Sequence, residues 1–188
     1  FHTGDAGYFN EAGHLVVIDR VADLSFTSEK LRYSPQYLEN KLKFSPFIAE
    51  AALIGSNKPY LSAIICIRYS VLSKWAEQKR VPFTTYSDLA SKTEIQKLLK
   101  REVKKVNESV PEKQQIKKFV LLYKEFDADD DELTRTKKLR RNFVINKYNE
   151  IVDAIYDQRK SLKIDTVINL QDGGTQKINT ELSIINME

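Results

Sequence analysis

Cysteine, methionine and tryptophan each occur once in this 188-residue chain, and histidine only twice. The lone thiol, Cys66, excludes a disulfide scaffold among these residues. It sits in the apolar run YLSAIICIRY and is expected to be a small core residue of a protein kept in a reducing cytosol, not a nucleophile. His2 and His14 have no cysteine nearby and do not make a zinc set. Neither is placed to serve as the base of a Ser-His-Asp device. The six glycines form no glycine-rich phosphate loop. No apolar run approaches the roughly 20 residues that cross a bilayer. Internal repeats and low-complexity stretches are absent.

What is present is an ordinary balance of 41% hydrophobic and 30% charged residues, too apolar for disorder. The length suits one large domain or two small ones. Net charge is only +4, but Lys97 to Arg141 carries 14 Lys/Arg against 9 Asp/Glu. That is a weak signal for a polyanion partner. The chain opens on Phe1 in what reads as a structured segment, so it is expected to be a piece of something larger.

Periodicity and turn chemistry place the elements. GYFNEAGHLVVID predicts a hairpin turning at NEAG. SPQYLENKLKF predicts a helix capped by Ser34, with Pro35 at its first position and Leu38 and Leu42 on one face. EAALIG and YLSAIICIRY predict an antiparallel strand pair. Helices are expected over SVLSKWAEQKR and from about Thr93 to Val106, then a strand over IKKFVLLYKEF. A single closing helix would line up Val144, Tyr148, Ile151, Val152 and Ile155. The order predicts an α+β fold, helices packed on a small mixed or antiparallel sheet and preceded by a β-hairpin. Residues 161–188 are expected to form two strands about an Asp-Gly-Gly turn.

Several candidate sites fail on their own chemistry. DADDDE invites a calcium loop, but counting from Asp127 the glycine and bidentate-glutamate positions hold Glu132 and Lys138. That leaves a solvated acidic turn. Lys100, Arg101, Lys104 and Lys105 recur along one helix as phosphate contacts would, yet Glu102 and Glu108 interrupt them. A solvated face is the better reading, and no nucleic acid is expected. No metal site is expected within the chain. The opening FHTGDAGYFNEAGHLVVIDR presents Asp5 after a glycine turn and ends on Asp19-Arg20. A carboxylate there suits vicinal hydroxyls such as a ribose's, and an arginine fork suits a phosphate or ribose oxygen. Equally, Asp5 could cap a turn and pair with Arg20.

Taken together, three stretches in order resemble the adenylate-forming superfamily of acyl-CoA synthetases, luciferases and adenylation domains, and specifically its C-terminal domain. TGD, Thr3 to Asp5, resembles the ribose-binding segment. DR followed by EKLRYSPQYLENKL resembles the junction of large and small domains. LTRTKKLRR resembles the C-terminal lysine motif, with Thr134 and Thr136 as its threonines, Arg135 in place of its usual proline, and Lys138 as its catalytic lysine. The insert YSDLASKTEIQKLLKREV resembles the long-chain fatty acyl-CoA synthetase branch.

The resemblance implies an ATP-dependent fatty acid–CoA ligase, which makes acyl-AMP and pyrophosphate and then passes the acyl group to the CoA thiol. It implies residues 1–20 as the last hairpin and junction of an N-terminal domain, 21–160 as a mobile C-terminal domain, and 161–188 as an extension. Lys138 would be catalytic, Asp5 and Arg20 would bind nucleotide, and Ala22 would be the hinge. Ser28 and Glu29 would belong to the CoA-tunnel loop, Ser28 where a glycine is usual. ATP or AMP, CoA and fatty acid are implied as ligands, and Mg2+ with a site outside this chain. The implied partner is the enzyme's own N-terminal domain, without which the piece would be inactive. A cytoplasmic enzyme, peripheral at a membrane, is the implied setting. Lys137, Arg140 and Arg141 are left for general attraction, domain contact or helix solvation, and the acidic run for keeping the loop wet and movable. Two rival readings stay open: an acyl-AMP ligase loading a carrier protein, and a non-catalytic binding or regulatory module of the same fold.

Overall fold

The computed structural model describes residues 3–169 and 174–187. Strands β1 (Asp5–Phe9) and β2 (Leu15–Arg20) form the opening hairpin. Its turn closes through Gly13 at φ 77° and a bond from His14 N to Asn10 Oδ1, 2.9 Å. A single 3-10 turn, Val21–Asp23, leads to a short ribbon of β3 (Ser25–Phe26) and β4 (Arg32–Tyr33). Helix α1 (Pro35–Lys43) follows, with Ser34 Oγ accepting Tyr37 N at 3.0 Å as its N-cap. Then come β5 (Ile48–Ile54), β6 (Leu61–Ile67), α2 (Tyr69–Gln78), α3 (Tyr86–Ser91), α4 (Thr93–Glu108) and β7 (Ile116–Leu121).

The chain continues through α5 (Arg141–Lys147), α6 (Asn149–Tyr156), β8 (Ser161–Asn169), β9 (Thr175–Ser183) and β10 (Ile185–Asn186). The fold is α+β, as expected. The expected single closing helix is corrected: its stripe is buried together, but the helix breaks at Tyr148, whose φ −105° and ψ 29° leave the helical region.

The central sheet runs β10-β7-β6-β5. β5 and β6 pair antiparallel, while β6 and β7 pair parallel, which requires a crossover. α2, α3 and α4 supply it. Because both faces of this sheet are covered, its inner strand β6 reads as a nearly unbroken apolar run. Ala51, Leu53, Ile65, Phe119 and Leu121 pack under the α1–α4 side with Leu42, Leu72, Leu89, Leu99 and Val103. Ala52, Ile54, Ile64, Val120 and Leu122 face Val144, Ile151 and Ile155 on the other side, joined by Ile164, Ile178 and Leu182 of the terminal ribbon. Cys66 is buried in this second layer, where burial pushes its thiol up out of the reactive range. It is a core residue.

Residues 161–188 do more than form a hairpin. β8 and β9 pair antiparallel through nine registered positions; the Asp-Gly-Gly turn expected between them falls largely outside the described residues. β10 then adds to the central sheet, Ile185 opposite Phe119 and Asn186 opposite Lys118. Asn107, buried at the end of α4, holds the start of β7 by bonding both Ile116 N and Ile116 O at 2.9 Å.

Candidate functional site

The cationic stretch is a small hairpin. At its base Arg140 N donates to Glu132 O (2.9 Å); above it Leu133 bridges Leu139, and Thr134 N donates to Lys138 O (2.8 Å). Lys137 N closes the tip on Thr134 O (2.8 Å), with Lys137 in the left-handed region at φ 59°. Thr134 Oγ1 accepts Lys138 N at 3.0 Å and lies 3.0 Å from Thr136 Oγ1. A threonine hydroxyl bonding a nearby backbone amide competes with regular structure and holds such a turn. Lys138 therefore sits on a constrained turn, yet its side chain is exposed. Among the described residues no carboxylate pairs with its ammonium.

Of the neighbouring cations, left for general attraction, domain contact or helix solvation, one is corrected: Arg141 is committed inside the fold. Arg140 pairs with Asp131 and lies over the Phe143 ring at 5.1 Å. Arg141 forks onto Glu39, Nε to Oε1 2.8 Å and Nη2 to Oε2 2.6 Å. Glu39 is buried, and its Oε1 also accepts Leu53 N at 2.9 Å. Arg141 is thus an internal clamp joining α5, α1 and β5.

The acidic run is corrected in part: Asp129 and Asp131 are exposed, as a wet loop requires, but its last member is not. Glu132 is fully buried. Its carboxylate accepts Lys124 Nζ (2.7 Å), Asp127 N (2.8 Å) and Tyr148 Oη (2.5 Å), with Lys147 Nζ at 2.9 Å. A buried carboxylate is tolerable only with such partners. Burial, and then the adjacent Glu132 carboxylate, drive the Tyr148 phenol far up, so it remains a donor. Asp130 shares Lys124 at 2.8 Å.

This network has a pH signature. The hydrogen bond from Lys124 holds Asp130 below its ordinary value. Burial pulls Lys124 down, but bonds to Asp130 and Glu132 outweigh it and leave the ammonium raised. The depressed carboxyl contributes stability above its unfolded pKa of about 3.9 and loses it as pH falls through the folded value. The raised ammonium contributes below about 10.4 and loses it as pH rises through its folded value. The Thr134 and Lys138 amide NMR shifts are therefore expected to stay flat between these limits and to move at both extremes. Movement near neutral pH would contradict this network.

The expected nucleotide residues come together around that lysine. Asp5 and Arg20 are cross-strand partners in β1 and β2, and with Asp23, Gln36, Asn40 and Lys138 they line one cavity of about 520 Å³. Gly4, at φ 76°, makes the turn that places Asp5 there, and its carbonyl accepts Val21 N at 2.8 Å. Asp5 and Arg20 form no ion pair among the described residues. Asp19 also lines this cavity and is held there by Ser34, whose Oγ donates to it, while Arg20 N donates to Asp19 Oδ1 at 2.9 Å. Ala22 lies mid-way along the exposed 3-10 turn, flanked by extended Arg20 and Leu24.

Ser28 and Glu29 lie elsewhere. Glu29 lines a separate cavity of about 410 Å³ with Lys30, Tyr60, Lys113 and Lys117. Their loop is tied by Lys30 N to Thr27 O and Ser28 N to Lys58 O, both 3.0 Å. A glycine at position 28 would be needed for a positive φ, but in this loop the left-handed residue is Lys30, at φ 60°. Ser28 therefore costs the backbone nothing. Sequence reasoning missed Glu132, Glu39, Asp19 and Ser34 as partners; their chain spacing carries no signal for the long-range contacts.

The chain belongs to the family of AMP-binding enzyme C-terminal domains, whose model matches residues 23–160. It is the C-terminal region of an adenylate-forming architecture. It is similar to the long-chain-fatty-acid–CoA ligase FadD15 of Mycobacterium tuberculosis, 30% identical over 84% of this chain and 26% of that protein. It is also similar to the human long-chain-fatty-acid–CoA ligase ACSBG1, 27% identical over 85% of this chain and 24% of that one. The chain thus spans about a quarter of the length of these relatives. Among solved structures, the A domain of carboxylic acid reductase from Segniliparus rugosus, in complex with AMP and a co-purified carboxylic acid, superposes with a TM-score of 0.60 at 21% identity, covering 83% of this chain and 23% of that one. That likeness shows the fold.

Proposed function

We propose that this chain supplies the C-terminal lobe of an ATP-dependent long-chain fatty acid–CoA ligase. The observation that carries the reading is the single cavity onto which Asp5, Arg20 and Lys138 converge from three separate stretches. In it the Asp5 carboxylate accepts hydrogen bonds from the two ribose hydroxyls. The Arg20 guanidinium meets a ribose or phosphate oxygen. The Lys138 ammonium stands between two anions that must join. A carboxylate oxygen attacks the α-phosphorus of ATP, the bond to pyrophosphate breaks, and acyl-AMP forms. Negative charge on the phosphoryl oxygens grows during this step, and a fixed cation lowers its barrier.

In the second step a CoA thiol attacks the acyl carbonyl and AMP leaves, the thiol proton passing to solvent. The 3-10 turn at Ala22 is the hinge about which the lobe rotates between steps, since few residues need absorb such a change. Ser28 and Glu29, away from Lys138, then come to the thiol side. The Mg2+ that travels with ATP finds no cluster of three His, Cys, Asp or Glu side chains among the described residues. The enzyme's N-terminal domain would provide the remaining nucleotide and acyl contacts, and the cytoplasm its setting.

The test is an assay of the full-length protein with ATP and a long-chain fatty acid, read as pyrophosphate release, followed by addition of CoA or of a carrier protein. Acyl-CoA formation supports the reading. Transfer to the carrier alone would replace it with an acyl-AMP ligase, and no pyrophosphate release would leave a non-catalytic module. Asp5→Ala is expected to raise the KM for ATP about tenfold to a hundredfold, the worth of hydrogen bonds to a charged group. An unchanged KM would remove Asp5 from the nucleotide site.

A further inference from the structure

We propose that Glu132 is the positioning residue of the adenylation lysine, an inference that rests on the role given to Lys138 above. Glu132 touches no reactant. Its backbone carbonyl is the base of the lysine hairpin, taking Arg140 N at 2.9 Å directly beneath the Leu133–Leu139 bridge. Its side chain points the other way, into the fold, and is fully buried. There three elements grip one carboxylate: Lys124 just beyond β7, Lys147 at the end of α5, and Tyr148 at the elbow between α5 and α6. Backbone and side chain together make Glu132 the joint between the rigid sheet and the exposed ammonium six residues on.

The grip is built for direction as well as strength. Tyr148 donates to Oε1 and Lys124 to Oε2, so each oxygen is claimed by a different wall and the carboxyl plane is fixed. Asp127 N adds a bond to Oε2 at 2.8 Å, tying the start of the same loop to its middle. The break in the closing helix is part of the device, because Tyr148 sits at that break and carries the phenol. Its ring is wedged between Tyr123 at 6.2 Å and Phe126 at 6.3 Å. A hairpin so held presents Lys138 in one place. Loosening its base lets the ammonium wander, and a displacement of about 1 Å can cost about a hundredfold in rate.

The two half-reactions separate positioning from mere stability, because only acyl-AMP formation uses Lys138. In the full-length enzyme, Glu132→Gln is expected to lower pyrophosphate release by about a hundredfold. Thioester formation from supplied acyl-AMP and CoA is expected to stay close to that of the unsubstituted enzyme. Tyr148→Phe removes one hydroxyl and keeps the ring, and is expected to shift the same ratio in the same direction by a smaller factor. It carries the test if Glu132→Gln does not fold. Equal losses in both half-reactions, or unchanged pyrophosphate release in the folded variant, would overturn the proposal. Lys138→Ala, assayed alongside, distinguishes the two levels. If it retains acyl-AMP formation, the role of Lys138 falls. If it loses it while Glu132→Gln and Tyr148→Phe do not, only the role of Glu132 falls.

Discussion

Replacing Lys138 by alanine in the full-length protein is expected to cut pyrophosphate release by about a hundred- to a thousandfold, the usual effect of removing one group that stabilises developing charge. The fold should not suffer. Lys138 is exposed and its side chain holds no carboxylate among the described residues, and surface substitutions of that kind typically stay within about 0.5 kcal/mol. The turn itself is held by Thr134 Oγ1, which takes the backbone amide of residue 138, a bond alanine keeps. Loss of rate without loss of fold is therefore the signature. Acyl-AMP formation near that of the unsubstituted enzyme would remove the ammonium from the chemistry.

The second large effect concerns stability. Arg141→Ala leaves the Glu39 carboxylate buried with only Leu53 N to satisfy it. Breaking a buried pair from one side costs about 3–5 kcal/mol, a large share of the 5–15 kcal/mol typical of a domain. Urea denaturation followed by the fluorescence of the single tryptophan, Trp75, measures it. The paired change Glu39→Gln with Arg141→Met should recover most of the loss. It removes both charges, and the new amide oxygen still accepts Leu53 N. A cost near 0.5 kcal/mol for Arg141→Ala would mean that the clamp is an ordinary exposed pair.

Much of the frame was legible because it rests on local rules. Ser34 and Pro35 announced α1, two apolar runs parted by a turn announced β5 and β6, and the stripe from Ile95 to Val103 announced α4. The candidate site was legible through three short motifs, and the cavity lined by Asp5, Arg20 and Lys138 brings those distant motifs to one place. What stayed hidden depends on contacts across the fold. Tyr148 fits a helical stripe as well as any residue, and neither the break there nor its bond to Glu132 is written in the local pattern. Glu132 itself stands in a run of acids that looks uniformly solvated; nothing local distinguishes it from Asp129 or Asp131. Arg140 and Arg141 are adjacent, yet one pairs outside and one inside. β10 is two residues long and owes its existence to the open side of β7.

The serine at the start of α1 has a bearing on the swing proposed for the lobe. Its hydroxyl oxygen serves the helix through Tyr37 N, while its proton serves Asp19 on the far side of Ala22. These are separable loyalties. Turning at Ala22 would strip Ser34 of the aspartate but leave the helix end dressed, with water free to take the vacated proton. On the proposed swing, unlatching at this point exchanges one partner for solvent and leaves the helix cap in place.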